Sequence, residues 1–463
     1  MSEEGNRVSK RPIPSTLTRA DLLKLGGLGA AGLLAGGAWA AAARGGASSS
    51  VGAAAPTRVA VPARAALASA TDRFLHLAAT DGYMALPGRP AYSSSDPAGR
   101  ADVYVFGFLH VDADATPNEL DVFKGKVQQP APIIGVVDED DVYIKMTNIG
   151  LVVRPDLDDS HTIHWHGFPN ASAIFDGVPE VSIAVPVGRS FPYYYKPHRP
   201  GSFMYHCHFE DVEHIQMGMQ GVVYVRPDSP YKWAYDDSAT AFDRQFAVHL
   251  TEVWTTPHDN LEAIQETIWS DYKANYWTIN GRCYPDTLKR NNDPDLPFQP
   301  LSALIQVNAL EKVLLRFINL GYESQAMQLP GIAMTVVGED ASRLRNSSGL
   351  GTVDLSYETN TIYIGPGEAR DVLFTAPAYD SSATFSDAAG TYNRYWLRNR
   401  NAHRLTNDGY SGLGGQVTQV RVYNGVLGGQ THPNQTYPSP ELSPPQIPGT
   451  SPPKYYKNPW IVF

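Results

Sequence analysis

Residues 161–167 read His161-Thr162-Ile163-His164-Trp165-His166-Gly167, and residues 205–219 read Tyr205-His206-Cys207-His208 with His214 and Met219 following. Side chains alternate faces along an extended chain, so parity makes both strings interpretable. His164 and His166 point one way and His161 the other, while His206 and His208 share a face that Cys207 opposes. If the two segments are neighbours in one sheet, four imidazoles gather on one face and His161 meets Cys207 on the other. His214 and Met219, in the loop after the Cys strand, close that second group. Two imidazoles, a thiolate and a weak axial thioether form a type 1 copper set and a poor structural zinc set. The four-imidazole face suits further copper, and the run His206-Cys207-His208 joins the two faces through covalent bonds.

Outward from these strings the chain reads as sheet. Gly (40) and Pro (36) are frequent in the 463 residues, which favours many short strands over long helices. Asp102 to Phe108 (DVYVFGF), Asp141 to Met146 (DVYIKM) and Val222 to Val225 (VVYV) mix β-branched and aromatic residues with polar ones, as half-buried strands do. Residues 226–240 carry Pro, Asp and Ser and read as a linker. A second strand-rich region holds Phe246 to Leu250, Lys312 to Ile318, Thr361 to Ile364, Asp371 to Phe374 and Gln416 to Val422, with turn signals at Asn280-Gly281 and Pro366-Gly367. The expectation is an all-β protein of two β-sandwich domains, residues 71–228 and 240–426. Residues 427–463 are rich in Pro, Gln, Ser and Thr and are expected as a C-terminal tail, extended on the surface or mobile.

The N-terminus has the layout of an export signal over residues 1–43. Arg7, Lys10, Arg11, Arg19 and Lys24 precede an apolar run from Leu25 to Ala43, and Ala38-Trp39-Ala40 would suit a signal peptidase. Thr18-Arg19-Ala20-Asp21-Leu22-Leu23-Lys24 resembles a twin-arginine signal in which Ala20 takes the place of the second arginine. Residues 44–70 read as a flexible linker. An exported protein, periplasmic or extracellular, is expected, with an uncleaved membrane anchor as the alternative. The formal net charge of −10 and the lack of a basic stripe exclude nucleic acid as an expected partner. Of the two Cys, Cys283 reads as a small buried hydrophobe.

At the copper strings the chain resembles the multicopper oxidase family. His161-Thr-Ile-His164-Trp-His166-Gly167 matches the family's H-x-x-H-x-H-G pattern, and His206-Cys207-His208 matches its other signature. The resemblance implies cupredoxin-like Greek-key sandwiches. It assigns His161, Cys207, His214 and Met219 to type 1 copper, His164 to type 2, and His166, His206 and His208 to type 3. Asp176-Gly177-Val178-Pro179 and Gly201 to Tyr205 look like the family's first domain; YWTINGR at 276–282, LRFINLGY at 315–322 and GPGEARDVLF at 365–374 look like its middle domain. The Cys207–His214 spacing is longer than in typical laccases.

The family's trinuclear cluster takes twice as many His as the first domain offers. Beyond residue 230 the His are His249, His258, His403 and His432, with no His-x-His pair. A second copy of the chain is one source of further ligands; an exposed His patch on a monomer is the other outcome. His198 is expected at the surface, and Glu210, Asp211 and Glu213 in a solvated loop. The expected function is oxidation of a small reductant, phenol-like or a metal ion, or of a redox partner protein. Electrons would enter near His214 and pass to dioxygen. The alternatives are an electron-transfer protein with type 1 copper alone and a nitrite-reductase-like enzyme.

Overall fold

The structure, a computed structural model, describes residues 72–89, 102–170, 172–228, 232–348, 351–438 and 460–462. The export signal (1–43) and first linker (44–70) lie outside the described residues.

The first domain is a two-sheet sandwich. Its strands are β1 (Asp72–Ala85), β2 (Asp102–His110), β3 (Ala131–Val137), β4 (Asp141–Asn148), β5 (His164–His166), β6 (Ser190–Tyr195), β7 (Gly201–His206) and β8 (Gln220–Arg226). One sheet runs β2-β1-β4-β6, with β1 parallel to β4; the other runs β3-β8-β7-β5, and Trp460–Val462 pairs in parallel with the outer edge of β3. Crossing orders of this kind let consecutive strands change sheet and enclose a core. In β4 the alternation Val142, Ile144, Met146 buries every second residue against Phe106, Trp165, Tyr193 and Tyr205. All three strands anticipated here are present.

The second domain repeats the plan. One sheet orders Tyr276–Ile279, Arg244–Val253, Lys312–Asn319, Glu368–Thr375, Met334–Glu339 and Ser342–Arg343; the other orders Ile305–Asn308, Val417–Tyr423, Gly390–Asn399, Gln325–Gln328 and Thr361–Ile364. The Asn280-Gly281 signal is a tight turn, both residues at positive φ, closed by an Ile279–Arg282 bridge.

The domains share a buried seam. Strand β7 is buried on both faces, which its sequence does not announce. Phe203 and Tyr205 fill the first core, while Met204 faces the other way and joins Ile133, Val222 and Tyr224 against Ala247, Ile318, Leu320 and Ala369 of the second domain. Burying side chains of this size contributes on the order of 1.5–3 kcal/mol each.

Two expectations are corrected. Residues 232–240 are packed rather than free: Ala234 and Tyr235 are buried with Phe242, Leu314 and Val337. The start of the C-terminal stretch is likewise knitted in, because Asn434 accepts from the Ala247 amide at 2.8 Å and Asn291 donates to its carbonyl at 2.7 Å. In both places a few hydrogen bonds and apolar side chains fix a segment whose composition is that of a loop.

Candidate metal centre

Strands β5 and β7 are antiparallel neighbours in the register His164↔His206, Trp165↔Tyr205, His166↔Met204. Parity therefore acts as the sequence implied. Cys207 follows β7, its amide donating to Met219 O at 3.0 Å, and His161 is held by a two-bond bridge to Val185 (3.1 and 2.8 Å). Cys207 Sγ lies 3.4 Å from His214 Nδ1 and 4.0 Å from His161 Nδ1. Ligand atoms of the three residues fall within 4.8 Å of one another, and all three side chains are buried. Met219 is buried beside them, its amide donating to His214 O at 2.9 Å.

The charge pattern of this pocket favours a cation. Burial pulls the His214 imidazole down, but the Cys207 sulfur and the Asp159 carboxylate outweigh it and lift the group to about 10. His161, fully buried and repelled by His214, is lowered instead. Its Nδ1 is turned toward Cys207 Sγ. The Thr162 amide points at Cys207 Sγ from 3.4 Å, and Phe106 packs edge-on to His214.

On the opposite face, His164, His166 and His206 bring ring nitrogens within 4.8 Å of one another. Burial holds all three below the ordinary imidazole value, His206 at about 3. They are neutral at pH 7, the form that binds metal. Backbone carbonyls fix two tautomers: His164 Nδ1 donates to Asp176 O (2.6 Å) and His206 Nδ1 to Cys207 O (2.8 Å), leaving each Nε2 with its lone pair, that of His206 facing His166 Nδ1 at 3.3 Å. Gly177 makes the first contact possible. At φ +80° it abuts Ile163 O, where a Cβ would sit 2.2 Å away. His208 stands one ring over, 5.1 Å between centroids from His164, with Nδ1 3.9 Å from Asp211 Oδ2.

The structure also corrects and adds. The acidic stretch forms a short helix, Asp211–Gln216, not a loop, and it carries His214 inward. His214 is fully buried, and the Asp159 carboxylate, itself 15% exposed, lies 3.8 Å from its Nε2. Glu213 is half-buried, and burial raises its carboxyl. His198 is exposed beside Glu139, as expected. Among the described residues, no His of the second domain joins a metal-ligating cluster; His249 and His258 are fully buried elsewhere. The second domain nevertheless covers part of the imidazole face. Gly367, in the anticipated Pro366-Gly367 turn, sits so close that a Cβ there would lie 3.0 Å from His166 Nε2. Asp159 belongs to no spacing motif, and the strings that hold Thr162 and Gly367 do not mark these two residues as neighbours of the site, so only a fold could reveal all three.

A family model described as Multicopper oxidase matches residues 113–230, and a second with the same description matches 244–409. Putative laccase-17 of Oryza sativa subsp. japonica is 26% identical over 254 residues, 54% of this chain and 39% of that protein. The chain spans about two-fifths of the length of the curated relatives it matches. Among solved structures, the Blue Copper Oxidase from Nitrosomonas europaea aligns over 76% of this chain and 86% of its own (TM-score 0.56, 23% identity). The multicopper oxidase mgLAC aligns over 78% and 89% (TM-score 0.54, 22% identity). At these identities the structures show a shared fold.

Proposed function

This chain belongs to the multicopper oxidase family, whose cofactor is copper, and from that premise we propose that it is an exported oxidoreductase. It takes single electrons from a small reductant at the Cys207 pocket and delivers them to dioxygen at the imidazole face. One observation carries the reading: Cys207 contributes Sγ to one ligand cluster while its two chain neighbours, His206 and His208, stand on the other face, beside His164.

The residues fit the metal. His161, Cys207, His214 and Met219 would hold type 1 copper, and His164, His166, His206 and His208 would hold type 2 and type 3 copper. Bound copper supplies reversible one-electron chemistry. The chain does the rest. Buried walls exclude water from Cys207, the Thr162 amide donates toward its sulfur, and Asp176 O and Cys207 O orient two imidazoles. Asp159 lies where a donor must approach His214 and is placed to accept a proton from it.

Copper per chain, solution mass and dioxygen uptake with a phenol test this together. The expected result is a blue protein that consumes dioxygen, and Cys207→Ser that loses the blue band and the uptake while keeping its fold. A Cys207→Ser protein that stays blue overturns the ligand assignment. A blue parent that leaves dioxygen untouched supports the second reading, an electron-transfer protein, which the absence of ligand clusters among the described second-domain residues favours. Further ligands from a second copy would show as a doubled mass with extra copper shared by the pair. Export rests on the leader pattern. N-terminal sequencing of protein from its own host is expected to start beyond about residue 40; an intact Met1 on membranes would favour an anchor.

A further inference from the structure

Trp165 sits in β5 between His164 and His166 and faces the opposite way, into the first core. Its ring lies flat on Tyr195, centroids 4.1 Å apart and planes 6° from parallel. Tyr195 in turn lies nearly parallel to Tyr193, at 6.3 Å and 12°. All three are fully buried. Beyond Tyr193 the row continues: Phe191 at 4.9 Å, Phe175 at 6.1 Å from Phe191 and again 6.1 Å from Tyr194, then Tyr143 at 5.2 Å, which stacks on exposed Phe74 at 5.0 Å. An unbroken file of aromatic rings thus leads from the imidazole face to the surface.

The hydrogen bonds along the file have a direction. Trp165 Nε1 has no partner, Tyr195 donates to Ile163 O at 3.0 Å, and Tyr193 donates to Ile183 O at 3.4 Å. None of these can pass its proton to a base, so each would hold a positive charge in apolar surroundings once oxidised. Tyr194 differs: its hydroxyl donates to Asp141 Oδ1 at 2.5 Å, and Lys196 Nζ holds that carboxylate at 3.2 Å. Tyr194 is also half-buried, within reach of solvent. Of Trp165, Tyr195, Tyr193 and Tyr194, Tyr194 is the one whose hydroxyl faces a carboxylate able to take its proton.

We propose that Trp165, Tyr195, Tyr193 and Tyr194 form an emergency electron supply that protects the imidazole face from a peroxide. The proposal rests on copper at that face. Cleaving the O–O bond of hydrogen peroxide to two waters consumes two electrons and two protons, the protons drawn from solvent. Where the Cys207 site provides one electron, Trp165 provides the other. Tyr195 refills Trp165, Tyr193 refills Tyr195, and Tyr194 refills Tyr193. Tyr194 ends as a neutral tyrosyl radical with its phenolic proton on Asp141. A small external reductant returns the electron and Asp141 returns the proton. The ligands next to Trp165 are spared because the damage is exported.

The test is hydrogen peroxide added to the copper-loaded protein and frozen, read by electron paramagnetic resonance for a tyrosyl signal and by peptide mass for oxygen added to Trp165. Copper content and the blue band are measured on the same samples. The parent is expected to give the tyrosyl signal with Trp165 intact. Tyr194→Phe and Tyr195→Phe keep their rings and lose only a hydroxyl; both are expected to lose the signal and to accumulate oxidised Trp165. A copper-loaded parent with no tyrosyl signal, or either variant with an undiminished signal, overturns the proposal alone. A parent that takes up no copper at the imidazole face overturns the reading beneath it as well.

Discussion

Thr162 serves both halves of the proposed copper-binding region at once. Its amide points at Cys207 Sγ, and its Oγ1 accepts from the His208 amide at 2.9 Å, so one residue contacts both the Cys207 sulfur and the backbone of an imidazole on the opposite face. A hydrogen bond to a thiolate draws off charge and tunes a metal bound there. Met219 acts more weakly. Its backbone is fixed by bonds to Cys207 N and His214 O whatever the side chain, and a thioether is a long, weak axial ligand. Met219→Leu is a volume-conserving change that costs under about 1.5 kcal/mol. It is expected to keep the copper and raise the reduction potential, as voltammetry would show; copper loss would mean that Met219 holds the metal. At this scale parity made the site legible, since face alternation alone sorted His161 and Cys207 from His164, His166, His206 and His208. Asp159 and Gly367 were not legible, because their closeness to the site is set by loops that no period describes.

At the scale of elements, the long strands announced themselves and the short ones did not. Strand β5 has three residues, too few for a pattern, and the helix Asp211–Gln216 has one turn and a half and no apolar stripe. Two other elements carry a pH dependence. His249, in strand Arg244–Val253, and His258, in helix Thr255–Glu262, are lowered by burial to about 3 and about 4. His258 Nδ1 donates to Tyr104 O at 2.6 Å and so docks that helix on β2 as a neutral ring. The folded values lie below the unfolded value of about 6.5, so both groups are neutral in both states at pH 7 and cost nothing there. As pH falls below 6.5 the unfolded chain binds protons that the folded chain refuses. Stability then drops by about 1.4 kcal/mol per pH unit for each group until the folded value is reached. Melting temperature is expected to fall between pH 7 and pH 5, and His258→Gln, whose amide can still reach Tyr104 O, to flatten the fall. An identical slope in that variant would place the loss in other groups.

Across the whole molecule, the two domains were legible and the seam between them was not. Its members sit in ordinary strands: Ser202 in β7, Arg316 in Lys312–Asn319 and Asp371 in Glu368–Thr375, with Tyr235 from the segment before the second domain. Nothing in their local sequence says that they meet. Yet Asp371 accepts from Ser202 Oγ, from Tyr235 OH at 2.6 Å and from Arg316 Nη1 at 3.3 Å, while Arg316 lies over the Tyr224 ring at 4.8 Å. Arg316 and Asp371 are each 1% exposed. Strand β7 carries both Ser202 of the seam and His206 of the imidazole face. Removing one partner of a buried pair strands the other's charge, at a cost of about 3–5 kcal/mol, whereas replacing the pair by apolar residues of similar volume is often neutral. Asp371→Leu is therefore expected to lower the urea midpoint strongly, and Asp371→Leu with Arg316→Met to recover much of the loss. Because the seam joins both cores, tryptophan fluorescence and the blue band are expected to vanish together in the parent. In the single variant the blue band should be lost first, as the imidazole face loosens before the cores. Equal stability of the single variant and the parent would show that the apolar seam alone holds the domains, and that the ion pair serves only to set their register.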